Sequence, residues 1–536
     1  MAQNKPRVAY FCMEFGLHES FRIYSGGLGI LAGDILKAAH DAGDPMVGVG
    51  ILWRQGYTEQ RIDANGFPYD SFHEYRYDFL EETGVTVNVL IRGRQVKAKV
   101  WKCTAFGNVP LYLLDTNVPG NADWAITGQL YGWFEEERIA QEMVLSIGGV
   151  RALKALGIDV DVYHFNDSHP VFAGVELIRA EMAEKGRSFE EALRTVKQRI
   201  VFTTHTPVEA GNELHEHELL RYMGANDGLT YGQMLHLGGD PFSMTAAGIR
   251  LSRKANAVAK LHGETARRMW KDVPGGSDII AITNGVHNGT WQDKGVLNAS
   301  RGGGDLWGEH MRLKRALIAE VERRTGHKLE ENVLTIGFAR RAAPYKRSDL
   351  IFRNRALMGK LLHEGKLQIL FAGKAHPNDL TGKRILANLV KIAAEFPDRV
   401  IFLEDYDMAV GKMLTRGCDV WLNNPVRPME ASGTSGMKAA MNGVLNFSVL
   451  DGWWPEGCRH GETGWQIGGG YEGADADKVD SASLYKVLTG EILPAYYGPK
   501  DTWVRMMRGS IEMSTWQFSA ARMVEEYYQK LYTTAE

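Results

Sequence analysis

Lys438 lies in EASGTSGMKAAMNG, Glu430–Gly443, just after a run of small hydrogen-bonding residues and just before a helix-like AAMNG. Such a lysine is either an ordinary surface charge in a helix first turn, or an amine held neutral that forms a Schiff base with an aldehyde cofactor. Gly433, Thr434, Ser435 and Gly436 are small donors able to surround an anion, and Glu430 offers a carboxylate that accepts hydrogen bonds from sugar hydroxyls. A second concentration of chemistry is Arg340-Arg341-Ala342-Ala343-Pro344-Tyr345-Lys346-Arg347, four cations within eight residues. Cations this close repel unless anions sit among them. Arginine's planar fork grips phosphate oxygens in pairs and lysine adds a movable point charge, so the stretch suits one or two phosphates, with a solvated basic turn as the alternative.

The first half of the chain contributes shorter candidates. Ser25-Gly26-Gly27-Leu28-Gly29 precedes a helix, where glycines let a phosphate approach the free N–H groups of the first turn, although glycine turns before helices are common without one. Asn166-Asp167-Ser168-His169-Pro170 and Thr203-Thr204-His205-Thr206-Pro207 each follow an apolar run. Asp167 and His169 suit helix capping and support of a site equally. His205, able to donate and accept when neutral, suits a substrate contact, with a satisfied core histidine as the alternative.

These loops need elements to hold them. Short apolar runs at Val8–Phe11, Val47–Gly50, Val160–Phe165 and Ile200–Thr204 predict strands that alternate with helical patterns over Leu28–Ala42, Glu135–Leu156 and Val171–Lys185. Val85–Arg92, Gln95–Lys102 and Val109–Asp115 follow one another with short breaks, which predicts an antiparallel meander inserted beside the main sheet. The second half repeats the alternation, with strands predicted at Val333–Ala339, Leu367–Gly373, Arg399–Leu403, Val420–Leu422 and Val444–Ser448 and a helix over Leu380–Glu395. The glycine run in Asn298–Gly308 is the best linker candidate, and Thr502–Tyr532 has the apolar spacing of a packed helix. In open α/β sheets ligands collect at the carboxyl ends of strands, where all the loops named above lie.

With 536 residues the chain exceeds the ~250–300 over which one core grows, so two lobes are expected. Hydrophobic and charged fractions of 44% and 24% are those of an ordinary globular protein. A net charge of -3 without basic blocks offers no footprint for nucleic acid or an anionic membrane. Four cysteines without paired spacing point away from a metal or disulfide scaffold and towards a reducing compartment. The start, MAQNKPRVAYF, has no signal or transit pattern, and no run approaches membrane-spanning length, so a cytoplasmic protein is expected.

GTSGMK within Glu430–Gly443 closely resembles the pyridoxal phosphate lysine motif of the α-glucan (glycogen, starch and maltodextrin) phosphorylases. YFCMEFGL with SGGLGILAGD, HFNDSHP, TTHTP, ITNGV, ARRAAPYKR and LEDYD resemble further blocks of that family in the same order, spanning nearly the whole chain. The resemblance implies an α/β fold of two Rossmann-like, doubly wound lobes facing a cleft, the GT-B-type glycosyltransferase architecture. Residues 1–308 would form the first, glucan-binding lobe with its meander, 309–500 the lobe carrying pyridoxal phosphate, and 501–536 a helix packing back across the lobes. It implies a Schiff base at Lys438, with Thr434, Gly433, Gly27 and Lys346 near the cofactor phosphate and Tyr406 near its ring. Arg341, Lys346 and Arg340 would hold the substrate phosphate and His205 the transferred glucose; Asn284, Glu430 and Ser432 would read its hydroxyls, with Gly26, Leu28 and Asn166 in the substrate set. The implied reaction is reversible phosphorolysis of a terminal α-1,4-linked glucose of a glucan or maltooligosaccharide by inorganic phosphate, giving glucose 1-phosphate with retention and needing no metal. A homodimer is what the family suggests.

The sequence departs from the long family members in three ways. It is much shorter and starts almost at its first strand, which implies absence of the N-terminal phosphorylation and effector control of animal enzymes; Gly436 replaces an asparagine; and ARRAAPYKR differs from their basic motif. Two rival functions remain at this level: a retaining nucleotide-sugar glycosyltransferase of the same architecture, which leaves GTSGMK without a role, and a glucan-binding homologue without turnover. Of the thirteen tryptophans, one or two are expected along the glucan path and the rest in the core.

Overall fold

The computed structural model describes residues 5–208 and 211–533; Met1–Asn4 of the leading segment read above lie outside them. The chain divides into two compact units, Met1–Tyr57 with Phe72–Thr283 and Ala520–Glu536, and Thr58–Ser71 with Asn284–Ser519. Each is built on an α/β sheet with parallel strands.

The first unit's sheet has nine strands, in spatial order Ile279–Ala281, Lys254–Ala257, Ile200–Thr203, Val162–Asn166, Val8–Phe11, Met46–Ile51, Leu111–Asp115, Arg94–Cys103 and Glu81–Ile91. The first seven run parallel and the last three form an antiparallel meander. The expected meander lies beside the parallel strands and is continuous with them: Leu111–Asp115 pairs in parallel with Met46–Ile51, so the hairpin extends the main sheet. Helices cover the parallel strands, which is why Val8–Phe11 and Val162–Asn166 are buried along their whole length and Val8–Phe11 reads as an unbroken apolar run. The tail is divided between the units. Lys500–Gln517 packs in the second, whereas Ala520–Glu526 and the turn Tyr527–Tyr532 place Met523, Val524, Tyr527, Leu531 and Tyr532 in the first unit's core.

The second unit's sheet is six parallel strands in the order Val400–Leu403, Leu367–Ala372, Leu334–Ala339, Val420–Asn423, Leu445–Val449 and Gly464–Ile467. The glycine-rich Asn298–Gly308 lies inside this unit, at the joint between helices Lys294–Arg301 and Leu306–Thr325, where Val296, Ala299 and Leu306 are buried in its core. A hairpin, Glu59–Ile62 with Pro68–Ser71, leaves the first unit's sequence to join the second, where the Gln60 side chain exchanges hydrogen bonds of 3.0 and 2.9 Å with the Ala375 backbone. No helix among the described residues is long and apolar enough to cross a membrane.

Both sheets have a switch point, where successive connections leave in opposite directions and the strand ends splay apart to leave a crevice. In the first unit it lies between Val8–Phe11 and Val162–Asn166, and in the second between Leu334–Ala339 and Val420–Asn423.

Candidate functional site

The second unit's switch point assembles the two richest stretches of the sequence. The basic loop leaves Leu334–Ala339, and the loop holding Glu430 leaves the adjacent strand Val420–Asn423. Arg340 donates one guanidinium N–H to Asn423 Oδ1 and another to Glu430 Oε2 at 2.6 Å, and Lys346 pairs with the same carboxylate oxygen. The three side chains are only 9%, 8% and 11% exposed, which rules out the solvated-turn alternative for Arg340 and Lys346. Arg341 is exposed beside them. Arg347 faces elsewhere: it donates to the Asn424 and Pro425 carbonyls at 2.8 and 2.7 Å and pairs with Asp480 at 2.7 Å, so this fourth cation anchors the loop.

Arg340, Arg341 and Lys346 against Glu430 leave a surplus of two positive charges (three minus one). Burial pulls the Lys346 ammonium down to about 7, helped by the Arg340 charge and opposed by Glu430. Burial pushes the Glu430 carboxyl up, but Arg340 and then Lys346 outweigh it and hold it below the ordinary range. Lys346 is therefore the marginal charge of the group, and Glu430 stays ionised through Arg340. An arriving dianion would balance the surplus.

Lys438 sits on the short buried helix Ser435–Ala440, its ammonium 3.8 Å from the centroid of the Trp291 ring. It is thus no surface charge. Thr434 begins that helix without a side-chain cap bond, and Ser432 just before it is buried. Gly433 has a left-handed backbone (φ 71°), and a Cβ there would stand 3.7 Å from both Arg340 and Glu430, in the space the cations face. Gly436 leaves no room for a larger side chain: a Cβ would lie 2.5 Å from Asn446 Oδ1 and 3.0 Å from Trp453. Tyr406, after Val400–Leu403, is half-buried, and the desolvation of its hydroxyl pushes it up to about 12. Asn284 is buried shortly after strand Ile279–Ala281.

At the first unit's switch point the glycine turn already holds an internal anion. Glu14, which the sequence reading missed, accepts from Ser25 N at 2.6 Å, Ser25 Oγ at 3.1 Å, Gly26 N at 3.0 Å and Tyr131 OH at 2.5 Å. Gly29 must be glycine here, since a Cβ would lie 2.5 Å from Glu14 Oε2. A Cβ on Gly26 or Gly27, by contrast, would meet nothing within 4 Å, so the backbone just before and at the start of helix Gly27–Ala42 is open to approach, with Leu28 half-buried behind it.

His205 donates from Nε2 to Asn166 Oδ1 at 2.7 Å, and burial first, then His262 and His169, pulls it down to about 3, so it is neutral. Asp167 and His169 do not cap the following helix, Phe172–Lys185, which has no side-chain cap. Asp167 has a left-handed backbone and a carboxyl that burial pushes up to about 7. His169 Nε2 accepts from Arg138 at 2.9 Å, since arginine can only donate. Among the described residues, Glu142, His169 and Glu213 come within metal-ligand spacing of one another, but Arg138 donates to all three and already supplies their cation.

The carbohydrate phosphorylase family profile matches residues 308–456. A maltodextrin phosphorylase from Thermococcus litoralis is 40% identical over 98% of this chain and 70% of its own length. A glycogen phosphorylase from Aquifex aeolicus is 35% identical over 99% of this chain and 86% of its own. An uncharacterized protein from Methanocaldococcus jannaschii is 36% identical over 98% of this chain and all of its own length.

Proposed function

Since the chain belongs to the carbohydrate phosphorylase family, we propose that it is an α-glucan phosphorylase releasing glucose 1-phosphate from the ends of α-1,4-glucans with retained configuration. The observation that carries the proposal is the buried group of Arg340, Lys346 and Glu430 with Arg341 beside it, a phosphate seat at a sheet's switch point. The C–O bond from the terminal glucose to the glucan breaks, a C–O bond to phosphate forms, and the phosphate proton moves to the departing glucan oxygen. The cationic surplus holds the phosphate in place, while its negative charge stabilises the cationic character that develops on the sugar.

The residues around Lys438 fit pyridoxal phosphate. A buried lysine lies over an indole face, small residues precede it, and the open side of Gly433 faces a guanidinium. Bound there, the cofactor supplies a phosphate able to exchange a proton with the substrate phosphate. Lys438 would hold it, with Thr434, Gly433, Gly27 and Lys346 near its phosphate and Tyr406 near its ring. Arg340, Arg341 and Lys346 hold the substrate phosphate, while Glu430, Ser432 and Asn284 accept from and donate to glucose hydroxyls. In the other unit, neutral His205, Asn166, Gly26 and Leu28 are the residues that the family's motifs assign to the glucose. The free thiols Cys12, Cys103, Cys418 and Cys458 suit a reducing cytoplasm, and a homodimer is the assembly that the family suggests.

The test is an absorption spectrum of purified protein before and after borohydride reduction, for wild type and Lys438→Ala, followed by an assay of phosphate-dependent glucose 1-phosphate release from maltodextrin. A band that reduction fixes in wild type and that the variant lacks, together with release, supports the proposal. No band after added pyridoxal phosphate, and no release, sinks it.

A further inference from the structure

Asp451 lies in the loop segment after Leu445–Val449, the strand next to Val420–Asn423, and is 3% exposed. Its contacts are backbone amides: Oδ2 accepts from Glu430 N at 2.9 Å and Oδ1 from Gly452 N at 2.8 Å. The next two residues continue along the same segment. Gly452 has φ 58° and would bring a Cβ to 2.1 Å from the Ser432 carbonyl, and Trp453 N donates to that carbonyl at 3.0 Å. Three consecutive residues therefore form a template against which Glu430 and Ser432 are laid.

The side-chain type is informative. A second buried carboxylate close to Glu430 is unfavourable unless something requires it. Each N–H meets a different oxygen of Asp451, and asparagine in the same pose would set an amide nitrogen, which cannot accept, against one of them. A short carboxylate offers an acceptor at both positions. We propose that Asp451 is the positioning residue of the sugar-reading loop, fixing through the Glu430 amide where the Glu430 carboxylate stands relative to Arg340 and Lys346. This rests on the proposed function for what Glu430 reads, and on the geometry alone for what Asp451 holds.

The experiment compares wild type, Asp451→Asn, Glu430→Gln and the double variant, each checked for cofactor absorbance and melting temperature. Rates are measured in the synthetic direction with glucose 1-phosphate and its monodeoxy analogues. Displacing a reading group by about 1 Å costs on the order of 10²-fold, so Asp451→Asn is expected to lose about 10- to 100-fold in kcat/KM with glucose 1-phosphate. The analogue whose missing hydroxyl harms wild type most should harm Asp451→Asn least, and the double variant should be no worse than Glu430→Gln. Equal losses on every analogue, or additive losses in the double variant, would overturn the assignment. Amide hydrogen exchange gives a readout that needs no turnover: residues 428–434 should exchange faster in Asp451→Asn while Leu334–Ala339 is unchanged. If wild type releases no glucose 1-phosphate, the functional reading fails, and unchanged exchange at 428–434 then refutes the positioning role separately.

Discussion

Lys314→Met should weaken the second unit severely, although the residue touches no candidate site group. Lys314, on helix Leu306–Thr325, donates to Asp419 Oδ2 at 2.5 Å, to the Val333 carbonyl at 2.8 Å and to Tyr496 OH at 2.9 Å. Asp419 also accepts from His310 Nε2 at 2.8 Å and from Thr335 N at 2.7 Å, and both partners of the ion pair are 0% exposed. Asp419 immediately precedes Val420–Asn423 and holds the first turn of backbone in Leu334–Ala339, so the pair fastens the two switch-point strands at the end opposite their chemistry. Removing one partner of a fully buried ion pair costs about 3–5 kcal/mol, because the other charge stays buried. With a urea slope on the order of 2 kcal/mol/M, a loss of about 4 kcal/mol lowers the unfolding midpoint of that unit by about 2 M. Lys314→Met with Asp419→Asn should recover part of the loss, since it leaves no unpaired charge. Burial pushes the Asp419 carboxyl up, but Lys314 and His310 bring it below its ordinary value. A depressed carboxyl stabilises above the unfolded value near ~3.9 and ceases to as pH falls through the folded one, so wild type and variant should converge in acid. Urea unfolding followed by circular dichroism tests this, and a Lys314→Met midpoint within about 0.3 M of wild type at neutral pH would refute it.

Gly373→Ala should cut phosphorolysis by about 10²-fold with cofactor content retained, because its Cβ would lie 2.1 Å from the Arg340 carbonyl and push the cationic loop aside; kinetics beside a cofactor spectrum check this. The advantage of wild type over Lys346→Met in phosphate affinity should shrink as pH rises through about 7, where Lys346 loses its proton; titration calorimetry of both proteins from pH ~6 to ~8.5 measures it. The lysine is protonated in the unfolded chain up to ~10.4, so its burial disfavours folding fully below about 7 and progressively less as pH rises from there towards ~10.4, and Lys346→Met should raise the melting temperature most at the low end. Arg341→Met should weaken phosphate binding with little change in melting temperature, whereas Arg347→Met should cost about 3 kcal/mol or more by leaving Asp480 and two buried carbonyls without their donor; thermal melts and binding on both variants separate the roles.

What the sequence made legible follows from periodicity and from strand ends. Leu367–Ala372 and Leu334–Ala339 are buried on both faces and so appear as apolar runs broken only at Gln368 and Thr335, and Leu380–Glu395 has a helical stripe bounded by its Asp379 cap. The loops that follow the strands at each switch point could be singled out because polar and charged residues there interrupt apolar text. Less visible were elements too short to show a period, such as Lys254–Ala257 and Gly464–Ile467, and the membership of the meander in the main sheet, which depends on long-range pairing. Side-chain direction was also hidden: nothing in RRAAPYKR says that Arg347 turns from Arg340 and Lys346, a consequence of its left-handed backbone. Glu14 was overlooked because a single acid in MEFG has no pattern, although a carboxylate between a strand end and a glycine turn is itself a usable signal. Asp451 was equally silent, since its importance lies in which two amides it meets.

The first unit's core is closed by residues at the far end of the chain. Tyr532 OH donates to His164 Nδ1 at 2.7 Å, and Arg253 donates to the Tyr532 and Leu531 carbonyls, while Met523, Val524 and Tyr527 are buried among its strands and helices. A ribosome that has passed Thr283 has therefore produced nearly all of this unit but not the segment that fills it. The remainder of the second unit must be translated before Ala520–Tyr532 emerges. The incomplete unit would meanwhile present apolar surface and a His164 whose Nδ1 lacks its hydroxyl partner, a state suited to chaperones rather than to independent folding. The second unit, whose own core is complete at Ser519, can fold while the first is still waiting. Vectorial synthesis thus gives this protein an inverted order of completion, in which the part made first is finished last.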